Sequence, residues 1–367
     1  MKIISVVPEF TFDDVLLLPN SSTFLPGDEE KVIDLRTKIT KNISLDIPLI
    51  SAPMPGVTEA EMAIAIGSLG GIGFLHHFQS FDRQLEQARL VKAQKVKVAA
   101  CVYDLSEKGV NHVAKLLKVG VDLISVESGH AQNQQVIEFI KTLKKTFRKI
   151  EISVALVVTA DATKDIIRAG ADSIRVGIGG GSHCTTRLVT GIGRPQLSAV
   201  MECVKVAKKY HVPVISDTGI KYAGDIPKAI AFGASAVMIG GLFAGTDQAP
   251  GEVIQKRGKT YKMTWGMCTD TAQRHSQVSQ ILRSHLKEKL RSFFSFSQQE
   301  EKHKLFEEGV EGLVEYKGSV KPIIRQLLEG TRRSMWYMGA KNLAELEKKA
   351  RVVFVSDNTH TENMPRI

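Results

Sequence analysis

Cysteine is sparse in this chain: Cys101, Cys184, Cys203 and Cys268 are its only four, and no two of them form a CxxC pair. That spacing excludes a disulfide framework and a structural zinc site, and it predicts free thiols. No apolar run approaches the roughly 18 residues needed to span a bilayer. The N-terminal MKIISVVPEF lacks the long apolar stretch and small-residue cleavage site of a secretory signal, so a soluble, cytoplasmic protein is expected. Acidic residues are the minority charge, 39 Asp and Glu against 49 Lys and Arg, for a formal net charge of +10. The excess favours anionic partners such as phosphorylated metabolites, nucleic acid or an acidic surface, without choosing among them. With 43% hydrophobic and 24% charged residues the chain is neither disordered nor fibrous. Its 367 residues fit two or three domains, or one decorated α/β barrel.

What the chain does have is a loosely repeated unit: an amphipathic helix, a glycine, then a short strand apolar throughout. It occurs as AKLLKVGVDLISVES (114–128), DIIRAGADSIRVG (165–177) and IPKAIAFGASAVMIGG (226–241). Gly120, Gly170 and Gly233 fall where a helix ends in the left-handed conformation. Five more strands are predicted within 46–53, 70–76, 95–103, 150–158 and 212–217, which makes eight alternating with helices. Strands apolar on both faces belong in covered parallel sheets, and eight of them fit a (β/α)₈ TIM barrel, with a doubly wound sheet as the alternative. Residues 257–318 show few strand signals and many charges, and read as an insertion, a mobile flap or lid over the barrel. The stretch 319–350 returns to helical periodicity, with Gly330 and Gly339 as stop signals.

The strongest local signal is RVGIGGGSHCTTRLVTGIGRPQ (175–196). A strand runs into Gly177, Gly179, Gly180 and Gly181, then Ser182, then Cys184 among Thr185, Thr186 and Arg187. Bare backbone amides and a hydroxyl suit a phosphate, although no Lys follows as a P-loop requires, and the run is not GxGxxG. Cys184, beside hydroxyls and Arg187, reads as a nucleophile rather than as a buried small hydrophobe. In ISDTGIKYAGD (215–225), Asp217 at a strand end suits the vicinal hydroxyls of a ribose, or else a turn. In MIGGLFAGT (238–246), Gly240 and Gly241 leave amides uncovered where barrels commonly bind phosphate. Three such devices on strand ends favour a nucleoside monophosphate. A nucleic acid is disfavoured, because the Phe residues within 293–296 make no recognisable single-strand pattern and basic residues are interleaved with acidic ones.

The loop GIGGGSHCTTR, with SDTGIKYAGD, GASAVMIGGLFAGTDQAPGE (233–252), TFDDVLLLP (11–19) and SAPMPGVTEAEMAIA (51–65), resembles the IMP dehydrogenase and GMP reductase family from about residue 8 to 355. The resemblance implies a (β/α)₈ barrel acting on a purine nucleoside monophosphate through a cysteine bonded to purine C2. It makes Cys184 the nucleophile and Thr186 a hydroxyl poised for proton transfer. It gives Ser182, Gly219, Gly240 and Gly241 to the phosphate and Asp217 to the ribose, and it places Met267 and Glu308 at the purine, Glu308 at its N1 edge. It assigns Glu127 to the dinucleotide and the carbonyls of Gly179, Gly181 and Cys184 to K⁺. NAD as cofactor and a homotetramer follow from the same resemblance.

Most IMP dehydrogenases carry an inserted pair of regulatory domains, and at YDLSEKG (103–109) this chain has no room for them. The whole chain therefore reads as one catalytic barrel. FDDVLLLP, GVTEAEMA, AGTDQAPGE and EEGVEGLVEYKGS (307–319) resemble the dehydrogenase, with Arg291 as the flap arginine that activates water, although Ser292 follows it where the family has Tyr. WGMCTD (265–270) resembles the reductase, with Asp270 in place of the Glu that assists ammonia departure, or else at a helix start. Leu156, Pro55, His77, Glu127 and Thr218 replace the family's Asn, Asp, Lys, Asp and Gly. Leucine has none of the hydrogen-bonding capacity of asparagine, so a nucleotide binder without turnover is a third reading. The dehydrogenase, converting IMP and NAD to XMP and NADH, is the expectation taken forward.

Overall fold

Strands buried on both faces need cover on both faces, and eight of them obtain it by closing on themselves. In the computed structural model, which describes residues 8–25, 27–266, 309–356 and 358–363, the strands are β1 (Leu49–Ser51), β2 (Ile72–Leu75), β3 (Val98–Val102), β4 (Leu123–Val126), β5 (Ile152–Val157), β6 (Ser173–Val176), β7 (Val214–Asp217) and β8 (Ala236–Ile239). Each pairs in parallel with its sequence neighbours, and β8 returns to β1 through Met238 opposite Ile50, completing the closed (β/α)₈ barrel. The ring of helices is α1 (Ala60–Ser68), α2 (Phe81–Ala93), α3 (Glu107–Val119), α4 (Gln134–Thr146), α5 (Ala160–Ala169), α6 (Gln196–Ala207), α7 (Asp225–Ala231) and α8 (Val320–Tyr337).

Local chemistry sets the helix ends. The side chains of Ser80, Ser106, Asn133, Thr159 and Ser319 cap α2, α3, α4, α5 and α8 by accepting a first-turn amide. Gly120 and Gly170 end α3 and α5 at φ +95° and +118°, where a side chain would be strained. Alternation along each strand then makes two cores. Ile124, Val126, Ile174 and Val176 face the helices. Ile50, Ile72, Phe74, Ala99, Leu123, Ile215, Ala236 and Met238 fill the barrel, together with Ile39, Ile43 and Leu45 from a short hairpin.

Two expectations are corrected. Gly330 does not stop a helix: α8 runs through it, and a Cβ there would stand 2.6 Å from that of Ala223. The residue is small because α8 passes this close to its neighbour, and Gly339, at φ +63°, lies beyond the true end. Nor is the insertion poor in strands, because β9 (Val253–Lys256), β10 (Lys259–Trp265) and β11 (Glu311–Glu315) form an antiparallel sheet at its base. Those strands are mostly solvent-facing, with Lys and Glu between their apolar residues, so they lack the continuous apolar run of the barrel strands. β3 and α3 are joined directly through residues 103–106, and no helix among the described residues is long and apolar enough to cross a membrane.

Candidate active site

The loop from β6 to α6 carries Cys184 at the end of the barrel where the strands finish. Its glycine-rich start lies against the turn after β7: a Cβ on Gly177 would collide with the Asp217 carbonyl, and one on Gly180 would stand 2.6 Å from Thr218 Oγ1. Cys184 is partly buried, and its Sγ is 3.1 Å from Oγ1 of Thr186, in the first turn of a short helix, Thr186–Thr190. On its other side the backbone of Cys184 bridges antiparallel to Gly309, and Val310 N–H donates to the His183 carbonyl. The Cys184 loop is thereby tied to the strand that returns from the insertion.

Arg187 is engaged by backbone carbonyls of its own loop. Its Nε donates to the Ile178 carbonyl at 3.1 Å and its Nη2 to the Arg194 carbonyl, and Gly179 and Gly193 are bare where its side chain passes. Arg187 therefore stitches the two ends of the loop.

Ser182 and the turn after β8 meet: a Cβ on Gly241 would stand 2.6 Å from Ser182 Oγ. Gly240 borders Met54, and Gly219, at φ +84°, borders the ring of Phe12. Ser182 Oγ and the Gly240–Gly241 turn therefore lie together, while Gly219 packs on Phe12 and Gln196. The carbonyls of Gly179 and Cys184 accept no hydrogen bond among the described residues, while that of Gly181 accepts one from Cys184 N–H.

Below them lies a group that sequence reasoning missed. Arg175 projects into the barrel, 2% exposed, and donates from Nε and Nη2 to Asp217 Oδ2 at 3.1 and 2.7 Å, and from Nη1 to Ser125 Oγ at 3.0 Å and to Glu127 Oε1. Burial penalises its charge, but Glu127 and Asp217 outweigh that and hold Arg175 above its ordinary value. Burial pushes Asp217 up, against the pull of Arg175. Arg175 engages one oxygen of each carboxylate, Asp217 Oδ2 and Glu127 Oε1, and no hydrogen bond to Asp217 Oδ1 is made among the described residues, so that oxygen can accept from a ligand. The available signal was a charged residue inside the apolar strand SIRV.

Thr218 holds φ +109°, a conformation costing about 1–3 kcal/mol for a non-glycine residue. Its hydroxyl donates to Oε1 of the buried Gln196 at 3.1 Å. His77, buried at the end of β2, stacks on Tyr103 with ring centroids 4.9 Å apart. Leu156, the residue before the end of β5, is partly buried, and Pro55 is buried beside Met54. Asp270, Met267, Arg291 and Glu308 lie outside the described residues.

A family profile described as IMP dehydrogenase / GMP reductase domain matches residues 9–366. The inosine-5'-monophosphate dehydrogenase of Cryptosporidium parvum is 36% identical, with 94% of this chain and 92% of that protein covered. The protein of the same name from Borreliella burgdorferi is 34% identical over 97% of this chain and 96% of its own length. That from Methanocaldococcus jannaschii is 32% identical over 99% and 96%.

Proposed function

The chain belongs to the IMP dehydrogenase / GMP reductase family, and from that membership we propose that it oxidises IMP to XMP through a covalent bond from Cys184 to purine C2. One observation carries the reading: Cys184, in contact with Thr186, sits beside the converging Ser182 and Gly241 of a phosphate cradle. That relatives bearing the dehydrogenase name match from end to end supports oxidation over reduction.

In this reading Ser182 and the turns at Gly219, Gly240 and Gly241 hold the phosphate, and Asp217 Oδ1 accepts from the ribose. Fixing the nucleotide at both points presents C2 to Sγ, and positioning of this kind converts addition into an intramolecular step. The sulfur bonds to C2 as an anion, its proton passing to water by way of the Thr186 hydroxyl. A nicotinamide dinucleotide, when bound, accepts the hydride released from C2. The Glu127 carboxylate, an acceptor-only group, would accept from its hydroxyls or amide. Water then adds at C2, the C–S bond breaks, and the thiol recovers its proton. Arg291 is the residue assigned to activating that water.

The loop also suits a monovalent cation, since the carbonyls of Gly179 and Cys184 are unclaimed on a backbone that turns at positive φ. We assign K⁺ there, and a homotetramer, on family similarity. The direct connection of β3 to α3 supports a catalytic barrel without a regulatory insertion. The test is an assay of both directions. IMP with NAD is expected to form NADH, faster in potassium than in sodium buffer, and GMP with NADPH to give no oxidation. NADPH consumption with GMP would establish the reductase instead, with Asp270 as its acid, and neither reaction would leave a binder.

A further inference from the structure

Among the described residues one cation stands at the phosphate turn without an anion. Lys317, two residues beyond β11, donates from Nζ to the carbonyls of Gly241, Leu242 and Ala244 at 3.1, 3.1 and 2.8 Å. Its own N–H donates to the Gly245 carbonyl at 2.9 Å, and Thr246 bridges to Gly318, so the segment lies flat along the loop after β8. From the opposite side the buried Lys262 donates to the carbonyls of Thr246 at 2.9 Å, Asp247 at 3.2 Å and Ala249.

The two lysines differ in what neutralises them. Lys262 lies in the field of Asp247 and Glu61. Lys317 has no carboxylate partner among the described residues, and its charge reaches His183, whose Nδ1 is 3.0 Å from Ser182 Oγ. The ammonium therefore raises the potential where Ser182 and Gly241 meet. It also polarises the peptide unit between Gly241 and Leu242, making the Leu242 amide a stronger donor, while the Phe243 amide is already given to the Gly240 carbonyl.

We infer that Lys317 is a positioning residue that completes the anion site, fixing the Gly240–Gly241 turn and making the barrel prefer a nucleoside monophosphate to the unphosphorylated nucleoside. The inference rests on Ser182, Gly240 and Gly241 holding the phosphate. A residue that merely stabilised the fold would weaken nucleotide and nucleoside alike.

The test compares IMP and inosine, as substrate or competing ligand, on the full chain and on Lys317→Met and Lys317→Arg. Lys317→Met is expected to raise KM for IMP about 10- to 100-fold, the range for losing a charge-assisted contact. It is expected to leave kcat within about threefold and inosine binding unchanged, while Lys317→Arg restores most of the affinity for IMP. Should Lys317→Met not fold, Lys317→Gln, which keeps a donor and loses the charge, is expected to show the same split. Equal effects on IMP and inosine, or no effect on either, would overturn the inference. If the unaltered chain does not oxidise IMP, the functional reading fails separately, and stabilisation by inorganic phosphate, expected for the unaltered chain and lost in Lys317→Met, still tests Lys317.

Discussion

The Sγ of Cys184 and the Oγ1 of Thr186 lie 3.1 Å apart, so the thiol has a hydroxyl neighbour two residues further along the chain. A proton-transfer role for Thr186 makes its hydroxyl, rather than its shape, the important feature. Thr186→Val is expected to lower kcat by about 10² or more with little change in KM for IMP, and Thr186→Ser to retain most activity. Equal activity of the Val and Thr forms in steady-state assays would remove Thr186 from the proton path.

Arg175 joins two carboxylates inside the barrel, and removing it leaves both without a cation. Arg175→Met is expected to destabilise the fold by about 3–5 kcal/mol, the range for breaking a buried ion pair. Urea unfolding measures this directly. A loss below about 1 kcal/mol would mean that the carboxylates find other partners.

The site also has an acid limit. Burial pushes His77 down to about 3 and His112 down to about 4, against an ordinary value of 6.5. The unfolded chain therefore binds these protons first, so the stability from keeping the rings neutral is present above pH 6.5 and is lost as pH falls toward 4. His77 Nδ1 has no hydrogen-bond partner among the described residues, and the ring packs on Phe78 and Tyr103. His77→Phe is thus expected to keep the stack and flatten the fall in thermal midpoint between pH 6.5 and pH 4. An unchanged pH profile would place the titrating group elsewhere.

The barrel was legible because its strands are apolar on both faces and follow helices ending at Gly120 and Gly170, where period and turn chemistry agree. Cys184, Ser182, Asp217 and the Gly240–Gly241 turn were legible because polar and glycine residues at strand ends have no core role. What stayed hidden depends on contacts distant in sequence. Gly330 looked like a helix stop because its reason, the nearness of Ala223, lies more than a hundred residues away. Arg175 hid within an apolar strand, since only closure of the barrel brings Glu127 and Asp217 to it. Arg187 directly follows Thr186, whose hydroxyl contacts the thiol, yet its guanidinium donates to the carbonyls of Ile178 and Arg194.

A covalent purine adduct at Cys184 is the central intermediate of the proposed reaction. Protein mixed with IMP and NAD, quenched in acid during turnover and analysed by mass spectrometry of its peptides, is expected to carry the nucleotide on the peptide containing Cys184. Cys184→Ala is expected to carry none and to form no NADH, while its affinity for IMP stays within a few-fold because Ser182, Gly240, Gly241 and Asp217 are intact. NADH formation by Cys184→Ala at a rate near that of the unaltered chain would contradict covalent catalysis at this loop.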